Sequence, residues 1–144
     1  MKIKRIEHIA VAVNSIKAMR DILENKLGIE MEYDEHLPEY GTTLAMFPIG
    51  ETYIELLESD RADTGTSKWI AEHGEGLFHI CLEVEDIDAA VAELRGKGMT
   101  FLQDEPRLGH GNSRIIFLDP KGTGNLFIEL AELPQDDQSH AAEY

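Results

Sequence analysis

Cysteine is almost absent from this chain. Cys81 is the only one in 144 residues, so no disulfide can form within it. That usage suits a reducing compartment, and a cytoplasmic protein is the expectation. Proline numbers five, aromatic residues reach only 7%, and no apolar run approaches the roughly 20 residues a membrane helix needs. These gaps exclude a disulfide-stapled scaffold, a proline-rich linker and a spanning helix. Met1-Lys2-Ile3-Lys4-Arg5 leads into a strand pattern without the features of a secretory signal. Positive charge is scarce as well, with 13 Lys and Arg against 28 Asp and Glu and a formal net charge of -15. Such a balance opposes nucleic acid and anionic membrane surfaces, so neither is expected as a partner. It does not exclude a small anionic substrate, because a few local cations can reverse the field at one pocket. What is present is 42% hydrophobic residues, enough for one soluble domain with a buried core.

The chain repeats itself. His8-Ile9-Ala10-Val11-Ala12-Val13-Asn14-Ser15-Ile16 is answered by His79-Ile80-Cys81-Leu82-Glu83-Val84-Glu85-Asp86-Ile87. Each copy begins His-Ile, alternates toward a valine and turns through polar residues into a helical pattern. The first helical stripe is Ile16, Met19, Ile22 and Leu23, stopping near Gly28. The second is Ile87, Ala90, Val91 and Leu94, stopping near Gly98. Asn14 or Ser15 and Asp86 suit the N-cap positions, and the glycines suit the C-terminal stops. Later in each half comes aromatic-Ile-Glu-Leu-x-Glu: Tyr53-Ile54-Glu55-Leu56-Leu57-Glu58, then Phe127-Ile128-Glu129-Leu130-Ala131-Glu132. Two ordered matches indicate duplication. The reading is therefore a single domain with module one at about 3–58, a linker helix at about 64–74, module two at about 76–132 and a polar, frayed tail at 133–144.

Strand parity gives the repeat a chemical meaning. Alternate strand residues share a face, so His8 goes with Ile6, Ala10 and Ala12, and His79 goes with Leu77 and Cys81. Glu55 goes with Tyr53 and Leu57, and Glu129 with Phe127 and Ala131. The other faces, rich in Ile, Leu and Val, suit packing under a helix. A carboxylate set among apolar neighbours needs a cation, a donor or water. One divalent ion held by His8, Glu55, His79 and Glu129 meets that need with a formally neutral site. Mixed nitrogen and oxygen donors suit Mn, Fe, Co, Ni or Zn alike. A single strand histidine is more often a satisfied core or surface residue, and it is the symmetric placement that favours ligation. His36, His73, His110 and His140 have no repeat partner; His36, His73 and His140 read as surface residues, and His110 lies in a glycine-flanked loop. Cys81 reads as a small strand residue.

These residues resemble the vicinal oxygen chelate, or glyoxalase/bleomycin resistance/dioxygenase, superfamily, and within it the methylmalonyl-CoA epimerases. The resemblance runs from about Ile3 to Glu132. It is carried by Glu7-His8-Ile9-Ala10-Val11-Ala12-Val13, Pro38-Glu39-Tyr40-Gly41, Gly74-Glu75-Gly76-Leu77-Phe78-His79-Ile80, Asp104-Glu105-Pro106-Arg107 and Phe117-Leu118-Asp119-Pro120-Lys121, besides the two Glu motifs. It implies an α+β fold of paired βαβββ modules forming a cupped mixed sheet around a metal site. It implies a metal-dependent isomerase that interconverts R and S methylmalonyl-CoA, removing the α-proton through a metal-stabilised enolate. Glu129 and Glu55 are then the catalytic candidates as well as ligands. Glu39 would order a loop at the mouth of the site, though a solvated loop residue is the slightly favoured reading; Arg107, Arg114 and Lys121 would meet the phosphates of an acyl-CoA substrate, though each alone reads more readily as a surface charge near a turn; and the protein would be a homodimer. The chain departs from the family pattern at Tyr40, Phe78 and Asp119. It also has Leu44 where some relatives carry a glutamate proposed as a second base. The same ligand set also suits a glyoxalase I-like lyase or isomerase acting on a glutathione adduct. An extradiol dioxygenase would use two His and one Glu on iron, and a non-catalytic small-molecule binding protein could share the fold.

Overall fold

The computed structural model describes residues 1–135; His140 and the acidic tail around it lie outside them. The chain divides into two compact units, one made of Met1–Glu7 and the residues from His79 onward, the other of His8–Phe78. Strand β1 (Ile3–Ala12) contributes residues to both.

In the His8–Phe78 unit, β1 is followed by helix α1 (Ile16–Asp21) and strands β2 (Tyr33–Leu37), β3 (Thr42–Ile49) and β4 (Thr52–Ser59). Their order is β2-β3-β4-β1, with β1 parallel to β4 and the other pairs antiparallel. Helix α2 (Gly65–His73) closes the unit, capped by the Thr64 side chain and ended at Gly74. The second unit repeats the plan with β5 (Gly76–Val84), α3 (Ile87–Gly96), β6 (Arg107–Leu108), β7 (Arg114–Phe117) and β8 (Ile128–Glu132). The order there is β5-β8-β7-β6, again with one parallel pair, β5 and β8, and antiparallel neighbours. The architecture is thus mixed α+β, with the strand-helix-three-strand connection made twice.

Parity divides each sheet as the alternation requires. Val11, Val13, Ala45, Phe47 and Leu56 pack with Ile16, Met19 and Leu23 of the first helical segment. On the other side, Ala10, Leu44, Met46, Tyr53 and Leu57 form a separate cluster. In the second unit Val84, Ile116, Leu118 and Leu130 pack with Ile87, Ala90 and Val91 of α3, while Cys81, Ile115 and Ala131 cluster apart with Phe117. The last glutamate of each repeated motif also gains a role. Glu58 accepts the Ile16 N–H at 2.7 Å and Glu132 accepts the Ile87 N–H at 2.9 Å. Each satisfies a first-turn amide and places negative charge at a helix N-terminus. Ser15 and Asp86 cap the same helices, accepting from Ala18 and Ala89.

The first helical stripe departs from expectation at one residue. After Asp21 the chain widens into a π-helical turn, Ile22–Lys26, in which Leu27 donates to the Ile22 carbonyl. Widening shifts the register, so Leu23 is buried while Ile22 is 39% exposed. Gly41 shows the opposite constraint, a left-handed position that favours glycine. Its φ is +61°, and a Cβ there would lie 2.6 Å from Arg61 Nη1. Gly41→Ala should cost about 1–2 kcal/mol and lower the melting temperature by several degrees, readable in a thermal melt.

Candidate metal centre

Each unit builds one His–Glu pair from the same parts. In the His8–Phe78 unit, His8 on β1 and Glu55 on β4 lie on the Ala10–Tyr53–Leu57 side of the sheet. The parallel register places Glu55 beside Ala10, and His8 Nε2 is 3.3 Å from Glu55 Oε1. In the other unit the register places Glu129 beside Cys81, and His79 Nε2 is 3.2 Å from Glu129 Oε1. Cys81 is therefore the counterpart of Ala10, a small residue two positions after the histidine that leaves room for the carboxylate. An apolar side chain stands opposite each glutamate in the antiparallel register, Met46 for Glu55 and Phe117 for Glu129. Phe117 and Phe127 stack on each other and both meet the His79 ring edge-on. All four polar residues are buried, none more than 7% exposed.

The distances within the pairs bear on what they hold. Charge-assisted N–H···O bonds cluster at about 2.7–2.9 Å. Donor atoms bonded at about 2.1 Å to one metal lie about 3.0 Å apart at a right angle and about 3.4 Å apart at the tetrahedral angle. Both observed separations fall in the second range. Two imidazoles and two carboxylates are also a donor set that first-row divalent metals accept. The residues therefore fit a divalent ion in chemistry and, within each pair, in spacing.

The remaining candidates sort differently. Glu39 is exposed on the turn Pro38–Tyr40. Leu44 is buried at 2% on β3, in the apolar cluster with Ala10, Met46 and Tyr53. Phe78 packs against Trp69 of α2. His36 pairs with Asp60, and His73 stacks on Trp69. Arg114 is engaged by Asp88 through two hydrogen bonds of 2.7 and 3.0 Å. Those bonds hold the Asp88 carboxyl below its ordinary pKa range, so much of the Arg114 charge is already answered. Arg107 and Lys121 are exposed, on β6 and on the turn after β7.

Of two buried polar groups of the second unit, the sequence left His110 without a role and gave no sign of Glu7. His110, in the turn between β6 and β7, is 5% exposed and bonds through Nε2 to Glu7 Oε1 at 2.9 Å, with Glu7 itself 2% exposed. The available signal was the glycine on either side of His110. Glu7 has none, since its repeat counterpart is the apolar Phe78.

Known proteins place this arrangement. A model of the Glyoxalase/Bleomycin resistance protein/Dioxygenase superfamily matches residues 7–117. The mitochondrial methylmalonyl-CoA epimerase of Mus musculus is 32% identical over 132 residues, 91% of this chain and 74% of that protein. The ethylmalonyl-CoA/methylmalonyl-CoA epimerase of Cereibacter sphaeroides is 32% identical over 91% of this chain and 99% of its own length. A solved structure of a Streptomyces coelicolor methylmalonyl-CoA epimerase variant in complex with 2-nitronate-propionyl-CoA is 36% identical. It superposes with a TM-score of 0.90, covering 93% of this chain and 97% of that one. With a superfamily match over most of its length and epimerase relatives above 30% identity, the chain belongs to the Glyoxalase/Bleomycin resistance protein/Dioxygenase superfamily and, within it, to the methylmalonyl-CoA epimerase family of isomerases.

Proposed function

We propose that His8, Glu55, His79 and Glu129 together hold one divalent metal ion, and that the protein interconverts the R and S forms of methylmalonyl-CoA. The observation that carries this reading is the His–Glu approach built twice, at 3.3 and 3.2 Å, on equivalent positions of equivalent strands. The names of the relatives supply the substrate, a malonyl-type acyl-CoA. A bound divalent ion supplies a Lewis acid that stabilises charge developing on substrate oxygen.

The chain's own residues supply the rest. The α-proton of such a thioester sits between a thioester carbonyl and a carboxylate, and its removal leaves the C–H electron pair delocalised toward the carbonyl oxygen. Glu129 is the leading candidate to take that proton, and Glu55, its repeat counterpart, is the second. In one unit Met46 and Leu44 limit water near Glu55, and in the other Phe117 and Phe127 limit it near Glu129, which strengthens electrostatic interactions at each carboxylate. A homodimer acting in the cytoplasm belongs to the same reading. Among the described residues, no helix is long and apolar enough to cross a membrane.

The test is direct. The metallated protein, incubated with one epimer of methylmalonyl-CoA in deuterium oxide, should incorporate deuterium at the α-carbon while the two epimers equilibrate. It should leave a glutathione hemithioacetal unchanged. A fully metallated sample that exchanges nothing would rule out the substrate assignment.

A further inference from the structure

The two modules carry the same aromatic-Ile-Glu motif on equivalent strands but finish its surroundings differently. In the first unit the residue two before the glutamate is Tyr53 and the residue opposite it is Met46, 8% and 0% exposed. The Tyr53 hydroxyl is also tied down, donating to Glu32 at 2.6 Å. In the second unit the same two positions are Phe127 and Phe117, and both stay half-buried. Phe127 continues the line of β8, its carbonyl accepting the Ile80 N–H at 3.1 Å. Alternate residues share a strand face and so do cross-strand partners, which puts both rings on the side that carries Glu129. Their contacts agree. The rings stack with centroids 4.8 Å apart and planes 24° apart, and they meet the His79 ring edge-on at 5.1 and 5.8 Å. Cys81, Ile115 and Ala131 on the same face are closed to solvent. Beside the buried His79–Glu129 pair, solvent therefore reaches two phenyl rings and stops there.

An accessible apolar wall next to a few convergent polar groups is the usual make-up of a small-molecule site. A malonyl-type thioester matches it group for group. Its α-carbon carries three heavy substituents, which lie in one plane once the α-proton has left. Two of them, the thioester carbonyl and the carboxylate, present oxygens and suit the polar ligand set. The third is an alkyl group, directed away from both oxygens. It keeps that direction in either epimer, because only the proton changes sides. One apolar wall can therefore serve both epimers. Rings stacked this closely leave no slot between them, so an alkyl group must lie against them, and its length is limited by how far they project.

We propose that Phe117 and Phe127 receive the α-alkyl substituent of the substrate and set the largest group accepted there, with the phenyl of Phe127 as the specificity-determining part. This inference rests on the epimerase reading above. Phe117 stands directly opposite Glu129 and backs the His79 ring. Phe127 lies farther from His79, at the end of β8, so its size can change while the His79–Phe117 contact remains. The counterpart wall of the first module, Tyr53 and Met46, is packed shut and takes no part.

The experiment compares methylmalonyl-CoA with ethylmalonyl-CoA on the metal-loaded wild-type protein, Phe127→Ala and Phe127→Trp. One methylene in a shaped apolar pocket changes kcat/KM by about tenfold or more. Phe127→Ala should therefore raise the ethyl-to-methyl ratio of kcat/KM by about tenfold, and Phe127→Trp should lower it by about as much. Dissociation constants of the two thioesters, read by calorimetry, should shift in the same directions. Metal stoichiometry should match the wild-type protein in both variants. A ratio unmoved in both variants would overturn the proposal. So would a parallel loss of both activities together with metal, the mark of rings that only buttress His79. A wild-type protein inert toward methylmalonyl-CoA would instead remove the epimerase reading, and this inference with it.

Discussion

Replacing His79 with alanine should abolish stoichiometric metal binding and reduce turnover by about 1,000-fold or more, since Lewis-acid stabilisation is worth several kcal/mol at the transition state. His79 and Glu129 are both nearly inaccessible to water and face each other at 3.2 Å. Without the ring, Glu129 keeps an apolar neighbourhood of Phe117, Ala131 and Cys81 but loses the partner nitrogen that completes its half of the donor set. The ring also packs edge-on against Phe117 and Phe127, so some loss of stability should accompany the loss of metal. Equilibrium dialysis with metal analysis separates the two effects. His8→Ala should behave the same way, because its place in the other repeat is equivalent. Retention of a full equivalent of metal by either variant would contradict the ligand set.

The second large effect concerns stability alone. Glu83 is 1% exposed, and its carboxylate meets Arg5 Nε at 2.7 Å and Lys4 Nζ at 3.5 Å. Arg5 supplies the short, well-formed bond, whereas Lys4 supplies charge at a longer reach. Removing one partner of a buried ion pair leaves the other uncompensated, at a cost of about 3–5 kcal/mol. Arg5→Met should therefore lower the melting temperature by about 10–15 °C. Because the cost lies in the stranded carboxylate, Arg5→Met combined with Glu83→Leu should recover most of it. A single variant that melts within about 2 °C of the parent would show that Lys4 or water compensates Glu83 unaided.

Much of the fold, and the pairing of each repeat's histidine with its glutamate, could be read before any coordinates. The repeat came from two ordered matches between the halves, while the helix caps and the shared parity of His8, Glu55, His79 and Glu129 follow from residue type and alternation among neighbours along the chain. The capping function of Glu58 and Glu132 was visible as a repeated residue but not as a role, because the helices they cap lie far back in sequence. Ile22 misled because a helical stripe assumes a uniform 3.6-residue turn, and the π-helical turn breaks that spacing without a sequence marker. The grouping of Arg114 with Arg107 and Lys121 as cations overlooked Asp88, which binds Arg114 from α3. Glu7–His110 and Arg5–Glu83 escaped for a common reason. Each joins residues more than 70 positions apart and occurs once, so neither periodicity nor the repeat announces it. Single long-range polar pairs are what tertiary structure adds to a duplicated sequence.

The proposed site draws four residues from two repeats to hold one ion. Metal analysis of the intact protein, together with an anomalous-scattering crystal structure of the loaded form, tests it most directly. One ion per chain, bonded to His8, Glu55, His79 and Glu129, is the expected result. Two ions per chain, or one ion bonded to a single His–Glu pair, would contradict it.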